Sequence, residues 1–537
     1  MSPIPSPRRS VALNQECTEL SKPVDSRQLG KPTIQKFPAE LLLMIFKHMV
    51  ETEVVRDLAP WKLYRSYKKW LPASSTCKYW REIATTSPSL WRVIDVGSTG
   101  EVLGNSLDKF LPDDVTLEIT FHDPAPIPFF VSTLHKNAHR IEKLIIPELD
   151  DRDILSGLTS IFCWSSMPKL KELWVNTVPR TRDHDFQPFI RPDLVPNLQA
   201  VHFTHLRVNW GSPIIPNLRA LSLGCSPAQD RCYLDQFLSI MATCQRLEFL
   251  KIDRAFPIFG EDQSKMSIAL PRLREVYLTA DDPREVHHVL SHIRFDPSVN
   301  IDVHIRINVD RPNHPFGNTG IASVIPYDAA CIPVLEAATR VVVRDEDFEC
   351  WGPGGYGRLA LTFVNINMSR WGYAFPDLLR DLGDLLSRAP VTELTIHQDW
   401  SECPDPIVIH FFVRDFPRIT AFTHYGLEPD QSDPLFIFSP YTVCPGRVVP
   451  PSFPDTYATS LPNLCNLRLD LRYWHDGFLI ELRDCLRARS DAGFILDDVC
   501  ISVPRIGNMD GFEAERQLVA AELEELVRGD FILKLTD

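Results

Sequence analysis

Leu198-Gln199-Ala200-Val201-His202-Phe203 is followed, after Pro216-Asn217, by Leu218-Arg219-Ala220-Leu221-Ser222-Leu223. In both, an apolar residue is followed by others at the third and fifth positions after it, often with Pro just ahead. The same unit occurs at Ile141, Leu144, Ile146; Leu170, Leu173, Val175; Leu247, Leu250, Ile252; and Leu273, Val276, Leu278. A later set stands at Val391, Leu394, Ile396 and at Leu464, Leu467, Leu469. In most units the last two apolar positions flank a polar or aromatic residue, as in a strand with one buried side.

By subtraction of their first positions, the six early units are spaced 29, 28, 20, 29 and 26 residues apart. Those periods resemble leucine-rich repeats, for which steps of about 20 to 29 residues are usual. Segments with helical spacing lie between them, such as Leu234, Phe237, Leu238, Met241 and Val286, Val289, Leu290, Ile293. Strand, turn, helix and turn at this period would stack into a curved solenoid. The Asn or Cys expected three residues past the strand is replaced by Val178, Leu206, Ser226, Ala255, Asp281 and Arg472, so the repeats are expected to be irregular. Between the two apolar residues of each strand stand Trp174, His202, Ser222, Lys251, Tyr277, Thr395 and Arg468. Alternation turns these outward, onto a candidate substrate face on the concave side. The Pro- and Gly-rich stretches 310–375 and 425–460 break the rhythm and are expected to be lids or insertions. Phe512, Leu518, Leu523 and Leu526 suggest a closing amphipathic helix.

Nearer the amino end, Leu41, Leu42, Ile45, Phe46 and Met49 mark one side of a helix, with Glu40 and Lys47 off the stripe. Pro38 suits its first turn. A second helix is expected over Cys77, Trp80, Ile83 and Ala84, with Pro72 and Ser74-Ser75 as its start signal and Pro88 at its exit. Two short helices cannot bury their apolar faces alone. The order Pro38-x-Glu40-Leu41-Leu42-x-x-Ile45-Phe46, Cys77-Lys78-x-Trp80-Arg81-x-Ile83-Ala84 and Ser87-Pro88-x-Leu90-Trp91 resembles an F-box. That family binds a Skp-type adaptor of cullin-based ubiquitin ligases. The resemblance implies that Pro38, Leu41, Leu42, Ile45 and Phe46 face the adaptor, while Cys77, Trp80 and Ile83 pack the motif or extend the contact. Phe37 departs from the commoner Leu before Pro38, and the aromatic, basic stretch from Trp61 to Trp70 lengthens the gap between the helices.

Composition agrees with a large protein having ample core: 537 residues, of which 44% are hydrophobic. The net charge of −14 argues against a general nucleic-acid or anionic-membrane surface. No apolar run approaches the roughly 18 residues that span a bilayer, and no signal peptide is recognisable in Pro3, Pro5, Pro7, Arg8 and Arg9. The expected location is cytoplasm, nucleus or both. Thirteen cysteines without a C-x-x-C pair point to reduced thiols.

Signals of chemistry are weak. Gly352-Pro353-Gly354-Gly355-Tyr356-Gly357 fits G-x-G-x-x-G formally, but acidic residues precede it and Leu359, Leu361, Phe363 read as a strand behind it, so a loop is expected. His135 and His139 lie one helical turn apart without a third ligand. Asp281-Asp282 falls at an expected turn. No catalytic residue, metal or cofactor is expected.

The expected architecture is α/β: a tail over 1–32, a short helical F-box-like module over 33–96, and an irregular leucine-rich-repeat-like α/β solenoid over 97–537. By the resemblance, the chain is expected to be the substrate-recognition subunit of an SCF-type ligase, holding a Skp-type adaptor (and through it cullin) and a protein target. The alternative is a scaffold that binds the adaptor without delivering a substrate.

Overall fold

A computed structural model describes residues 37–51, 75–87, 90, 93–96, 116–121, 134–149, 152–177, 190–225, 231–260, 266–306, 321–328, 330–344, 347–364, 375–397, 413, 416–427, 461–505 and 509–536. The tail 1–32, the stretch Trp61 to Trp70 and residues 428–460 lie outside them. The chain divides into two compact units, residues 1–92 with 110–112, and residues 93–109 with 113–537.

The first unit is built on helix α1 (Ala39–Glu51) and helix α2 (Lys78–Thr86). Pro38 precedes α1 and its carbonyl accepts the N–H groups of Leu41 and Leu42 at 3.1 and 3.2 Å, so the Pro ends the extended chain without an orphan donor of its own. The cap of α2 is Cys77, not Ser74-Ser75: its Sγ accepts the Trp80 N–H at 3.4 Å. The Tyr79 hydroxyl donates to the Phe37 carbonyl at 3.1 Å and ties the start of α1 to α2.

The second unit is mixed α/β and dominated by one large sheet. Its strands are β1 (Val93–Val96), β2 (Leu117–Phe121), β3 (Ile141–Leu149), β4 (Glu172–Thr177), β5 (Ala200–Thr204), β6 (Ala220–Gly224) and β7 (Phe249–Asp253), each parallel to the one before it. A short pair, β8 (Ile268–Ala269) with β10 (Ile293–Arg294), stands apart. The main sheet continues through β9 (Glu275–Ala280) and β11 (Asn300–Arg306). Each early strand is introduced by a tight turn in which Leu170, Leu198, Leu218, Leu247 or Leu273 donates its N–H to the carbonyl three residues earlier, at 3.1 to 3.2 Å. Proline suits these turns because its fixed φ is already that of the second residue. Strand alternation then buries the apolar pair of every unit, and from β4 to β9 leaves the residue between them half-buried on the other side. α4 (Leu234–Met241) and α5 (Pro283–His292) occupy the segments of helical spacing, and Leu234, Phe237, Leu238, Met241, Val286, Val289 and Leu290 are all buried. α3 (Arg152–Trp164) precedes β4. Asp282 caps α5 by accepting the Arg284 N–H at 3.0 Å.

The missing Asn or Cys ladder has a backbone substitute. His205, Cys225 and Arg254 follow β5, β6 and β7 directly, with φ of 58°, 49° and 53°. Each donates its N–H across to the next strand: His205 to Gly224 at 2.8 Å, Cys225 to Asp253 at 2.6 Å and Arg254 to Thr279 at 2.8 Å. Left-handed conformations at residues with a Cβ cost about 1 kcal/mol each, and the cross-strand bonds offset that cost. Leu206 and Ala255, one residue further on, are buried as apolar fillers.

The broken middle is not a lid throughout. After α6 (Val334–Ala337), residues 340–364 form β12 (Arg340–Val343), β13 (Asp347–Trp351) and β14 (Arg358–Val364), which join the main sheet in the order β11, β14, β13, β12. The β12–β13 and β13–β14 pairings are antiparallel. The glycines of the G-x-G-x-x-G match form the connection between β13 and β14. A Cβ at Gly357, where φ is +72°, would strike the Pro297 carbonyl, and one at Gly352 would strike the Tyr356 carbonyl. Steric need for absent side chains, not phosphate, explains those glycines.

Parallel pairing resumes from β12 to β15 (Glu393–His397), then β16 (Ala421–Leu427), β17 (Asn466–Leu471), β18 (Asp498–Pro504) and β19 (Phe531–Thr536). α7 (Phe375–Leu386) lies between β14 and β15, α8 (Phe478–Asp491) between β17 and β18. The amphipathic helix near the carboxyl end is α9 (Met509–Glu525), but it does not close the sheet, since β19 follows it. Its buried residues are Phe512, Glu515, Val519 and Leu523; the expected Leu518 is exposed. Glu515 is buried because its two carboxylate oxygens accept the Gly477 and Ile480 N–H groups at 2.8 and 2.9 Å, at the positive end of α8. Glu515→Ala leaves those donors bare and is expected to cost about 1 to 2 kcal/mol of stability, measured as a lower urea midpoint; an unchanged midpoint would show the cap to be idle.

Candidate protein-binding surfaces

In the first unit, Leu42 and Phe46 are 1% and 0% exposed. They form a small core with Ile83, Ala84 and Leu90, flanked by Ala39, Leu43, Tyr79 and Trp80. Phe46 meets the Trp80 ring edge-on, with centroids 5.5 Å apart. The expectation that Leu42 and Phe46 belong to an outward face is therefore corrected. They hold the two helices together, and Ile83 and Trp80 do the same from α2. Cys77 is a half-buried cap. The side chain of Met49 lies outside the described ones.

The outer face of α1 is apolar all the same. Phe37, Leu41, Met44 and Ile45 are 40%, 45%, 65% and 44% exposed. Positions 37, 41, 44 and 45 follow helical spacing, so they form one stripe beside exposed Pro38. Phe37 and Met44 were not among the expected docking residues, although their spacing from Leu41 is the signal that identifies them. Large apolar side chains grouped on one exposed helix face mark a contact surface, because covering the half of each that is still exposed gains about 1 kcal/mol.

In the second unit, the seven expected face residues fall on one row of the sheet. Trp174, His202, Ser222, Lys251 and Tyr277 are successive register partners on β4, β5, β6, β7 and β9. The row continues through Asp302, Ala360, Glu349 and Val342 to Thr395, Thr423 and Arg468. The Trp174 and His202 rings stack at 3.5 Å, and Phe249 and Tyr277 lie 5.5 Å apart. Phe249 was missed by the sequence reading; standing two residues before Lys251, it shares that pleat. Arg468 lies over the Tyr425 ring at 5.4 Å and borders a groove of about 310 Å³ with Thr423, Asn466, Asp498, Cys500 and Ile532.

Charges on this face are mostly paired. Lys143 meets Glu172 at 2.8 Å, and Arg358 meets Asp302 at 2.9 Å and Glu349 at 3.0 Å. Burial pushes His202 down to about 3, helped by Lys143 and Lys251, so its ring is neutral at pH 7. Burial, with Asp302 and Glu275 beside it, pushes Tyr277 up to about 12.

Other sequence signals lead elsewhere. His135 is exposed and bonds the Ser165 hydroxyl at 2.7 Å, and His139 is exposed. Among the described residues no group of His, Cys, Asp and Glu has the arrangement of a metal site. The described cysteines are free, and burial pushes Cys232 and Cys350 up to about 12, far from a reactive thiolate. No described helix is long and apolar enough to cross a membrane.

The two-helix core and its uncovered apolar stripe agree with the family comparison. Residues 34–96 match the F-box-like family. The matched region takes in both described helices of the first unit and β1, and it supports reading the chain as an F-box protein. F-box domains generally bind Skp-type adaptors, and the match suggests adaptor binding in an SCF-type setting. No curated protein matches the chain.

Proposed function

We propose that the protein is the substrate-recognition subunit of an SCF-type cullin ubiquitin ligase and has no catalytic chemistry of its own. The single observation that carries the reading is the exposed stripe of Phe37, Leu41, Met44 and Ile45, which lies outside the core formed by the described residues of the domain. In this reading Leu41, Ile45 and their neighbours seat on a Skp-type adaptor, while the sheet unit, an irregular leucine-rich-repeat-like solenoid, holds a target protein in the cytoplasm or nucleus. The mechanism is tethering: a bound target is held at high effective concentration beside a ubiquitin carrier. Support for the repeat assignment comes from the parallel strands in near-sequential order and the recurring turns that introduce them.

Affinity capture tests it. Wild-type chain is expected to retain adaptor and cullin, and a Leu41→Asp, Ile45→Asp double variant to lose both, because two carboxylates would be buried against apolar surface; the affinity falls at least a hundredfold. Since both side chains are exposed, the variant keeps its fold. Retention of adaptor by the double variant would sink the reading. Capture of adaptor without cullin by wild type would instead favour the scaffold alternative.

A further inference from the structure

Strand β19 is an edge of the main sheet without an edge's usual protection. It is paired with β18 on one side, and among the described residues no strand lies on the other. β2, at the other end of the sheet, already has β1 and β3 beside it. β19 is six residues long, keeps continuous register with β18 and contains no Pro, so neither shortness, a bulge nor a Pro blunts it. Its start is anchored, with the Asp498 carboxylate accepting the Asp530 N–H at 3.0 Å. Phe531, Leu533 and Leu535 continue a core row whose previous members, Val499, Ile501 and Val503, are wholly buried, yet all three are only half-buried. The Asp530 and Thr536 carbonyls accept the Val499 and Arg505 N–H groups. Successive residues of a parallel strand turn their backbone groups to alternate sides, so the N–H and C=O of Phe531, Leu533 and Leu535 point to the open side.

We propose that β19 pairs antiparallel with β19 of a second copy of this chain, about a two-fold axis at Leu533. A two-fold axis beside a strand sets it antiparallel to its own copy. Centred on Leu533, the axis brings Phe531 opposite the partner's Leu535 and Leu533 opposite the partner's Leu533. Those are the residues whose backbone groups are free, so each pair exchanges two N–H to carbonyl bonds, and the half-covered rows merge into one apolar layer. Asp530 and Ile532 line the groove that Arg468 and Cys500 border, which places them on the outer face. There Ile532 stands opposite the stem of the partner's Lys534, and Asp530 lies diagonal to its ammonium, within a lysine's reach. Asp530 and Lys534 are exposed and carry no ion pair among the described residues, so the edge is complementary in charge to itself. The neighbouring registers are poorer. An axis at Lys534 sets two ammonium groups face to face, and one at Ile532 puts Leu535 opposite the partner's Gly529, whose N–H is already given to the Asp497 carbonyl. This pairing goes beyond the adaptor reading and does not rest on it.

Sedimentation of the full-length protein between about 1 and 200 μM tests this. A six-residue edge buries less than a standard interface, so a dimer is expected with a Kd on the order of 10 to 100 μM. Lys534→Glu sets like charges together on both sides of the axis and should weaken the dimer about tenfold, as should Asp530→Lys. Combining the two changes should restore it, which a damaged fold would not do. Leu533→Pro removes the N–H at the axis and no bond to β18, and should leave the protein monomeric. Hydrogen exchange separates the other occupants of the edge: the Phe531, Leu533 and Leu535 amides should exchange freely at the lowest concentration and become protected at the highest. Protection of these amides in a monomer at every concentration would mean that a segment of the same chain covers the edge. A monomer with unprotected amides throughout would leave the edge to a different protein. Either result overturns the pairing, as does a dimer that ignores the charge reversals and Leu533→Pro.

Discussion

Phe46→Ala is expected to unfold the two-helix domain while the sheet unit keeps its own stability. Phe46 is wholly buried, and its partners are Leu42, Ile83, Ala84 and Leu90 with the Trp80 edge. Removing a buried Phe costs about 3 to 5 kcal/mol through lost transfer energy and the cavity left behind. With five buried residues in this core among the described ones, there is little reserve to absorb that loss. Hydrogen exchange reads the outcome locally: α1 amides should lose protection by roughly a hundredfold or more, with β4 to β7 unchanged. Adaptor capture should fail as it does in the Leu41→Asp, Ile45→Asp variant, but for a different reason, since there α1 remains protected. Undiminished α1 protection in Phe46→Ala would show that this core is not what holds the domain.

Acid should weaken the sheet unit well above the range where carboxylates protonate. His424 occupies a core-row position on β16, in register with Ile396 on β15 and Leu469 on β17, and is buried. Burial pushes it down to about 4, with His397 adding to the shift. The unfolded chain takes up a proton near 6.5, and the folded chain does so only near 4. Stability is therefore complete above about pH 6.5, falls as pH drops below that value, and stops falling for this group near pH 4. The loss from His424 is on the order of 3 kcal/mol. His202 acts in the same direction, reduced by its partial contact with water. Urea midpoints between pH 7 and pH 4.5 should show this slope in wild type and a much flatter one in His424→Leu. An unaltered slope in that variant would exclude His424 as its source.

Local patterning made much of the sheet legible. The apolar pairs Leu173/Val175, Val201/Phe203, Leu221/Leu223, Leu250/Ile252 and Val276/Leu278 are all buried, because period-two alternation fixes which side chains share a face regardless of what lies beyond the strand. The same alternation set Trp174, His202, Ser222, Lys251 and Tyr277 on one row. Strand β16 escaped detection because a polar His424 fills an apolar slot of its unit, after Ile419 and Phe422. Leu359, Leu361 and Phe363 already marked β14, whereas β12 and β13 escaped because their antiparallel pairing depends on tertiary partners and on backbone approaches that demand Gly352 and Gly357.

The amino-acid order by itself determined strands β3 to β7, β9, β15 and β17, helices α1, α2, α4 and α5, and which side of each is greasy, since those are properties of spacing over a few residues. It also determined that α1 has more apolar surface than a single neighbour can cover. Only the tertiary structure decided how that surface divides. Leu42 and Phe46 turn toward Ile83, Ala84 and Leu90, and Leu41, Met44 and Ile45 remain exposed, because among the described residues the nine-residue α2 packs on one side of α1. Likewise, the pairing of β14 with β11 and of β12 with β15 arises from contacts between segments that no local period connects.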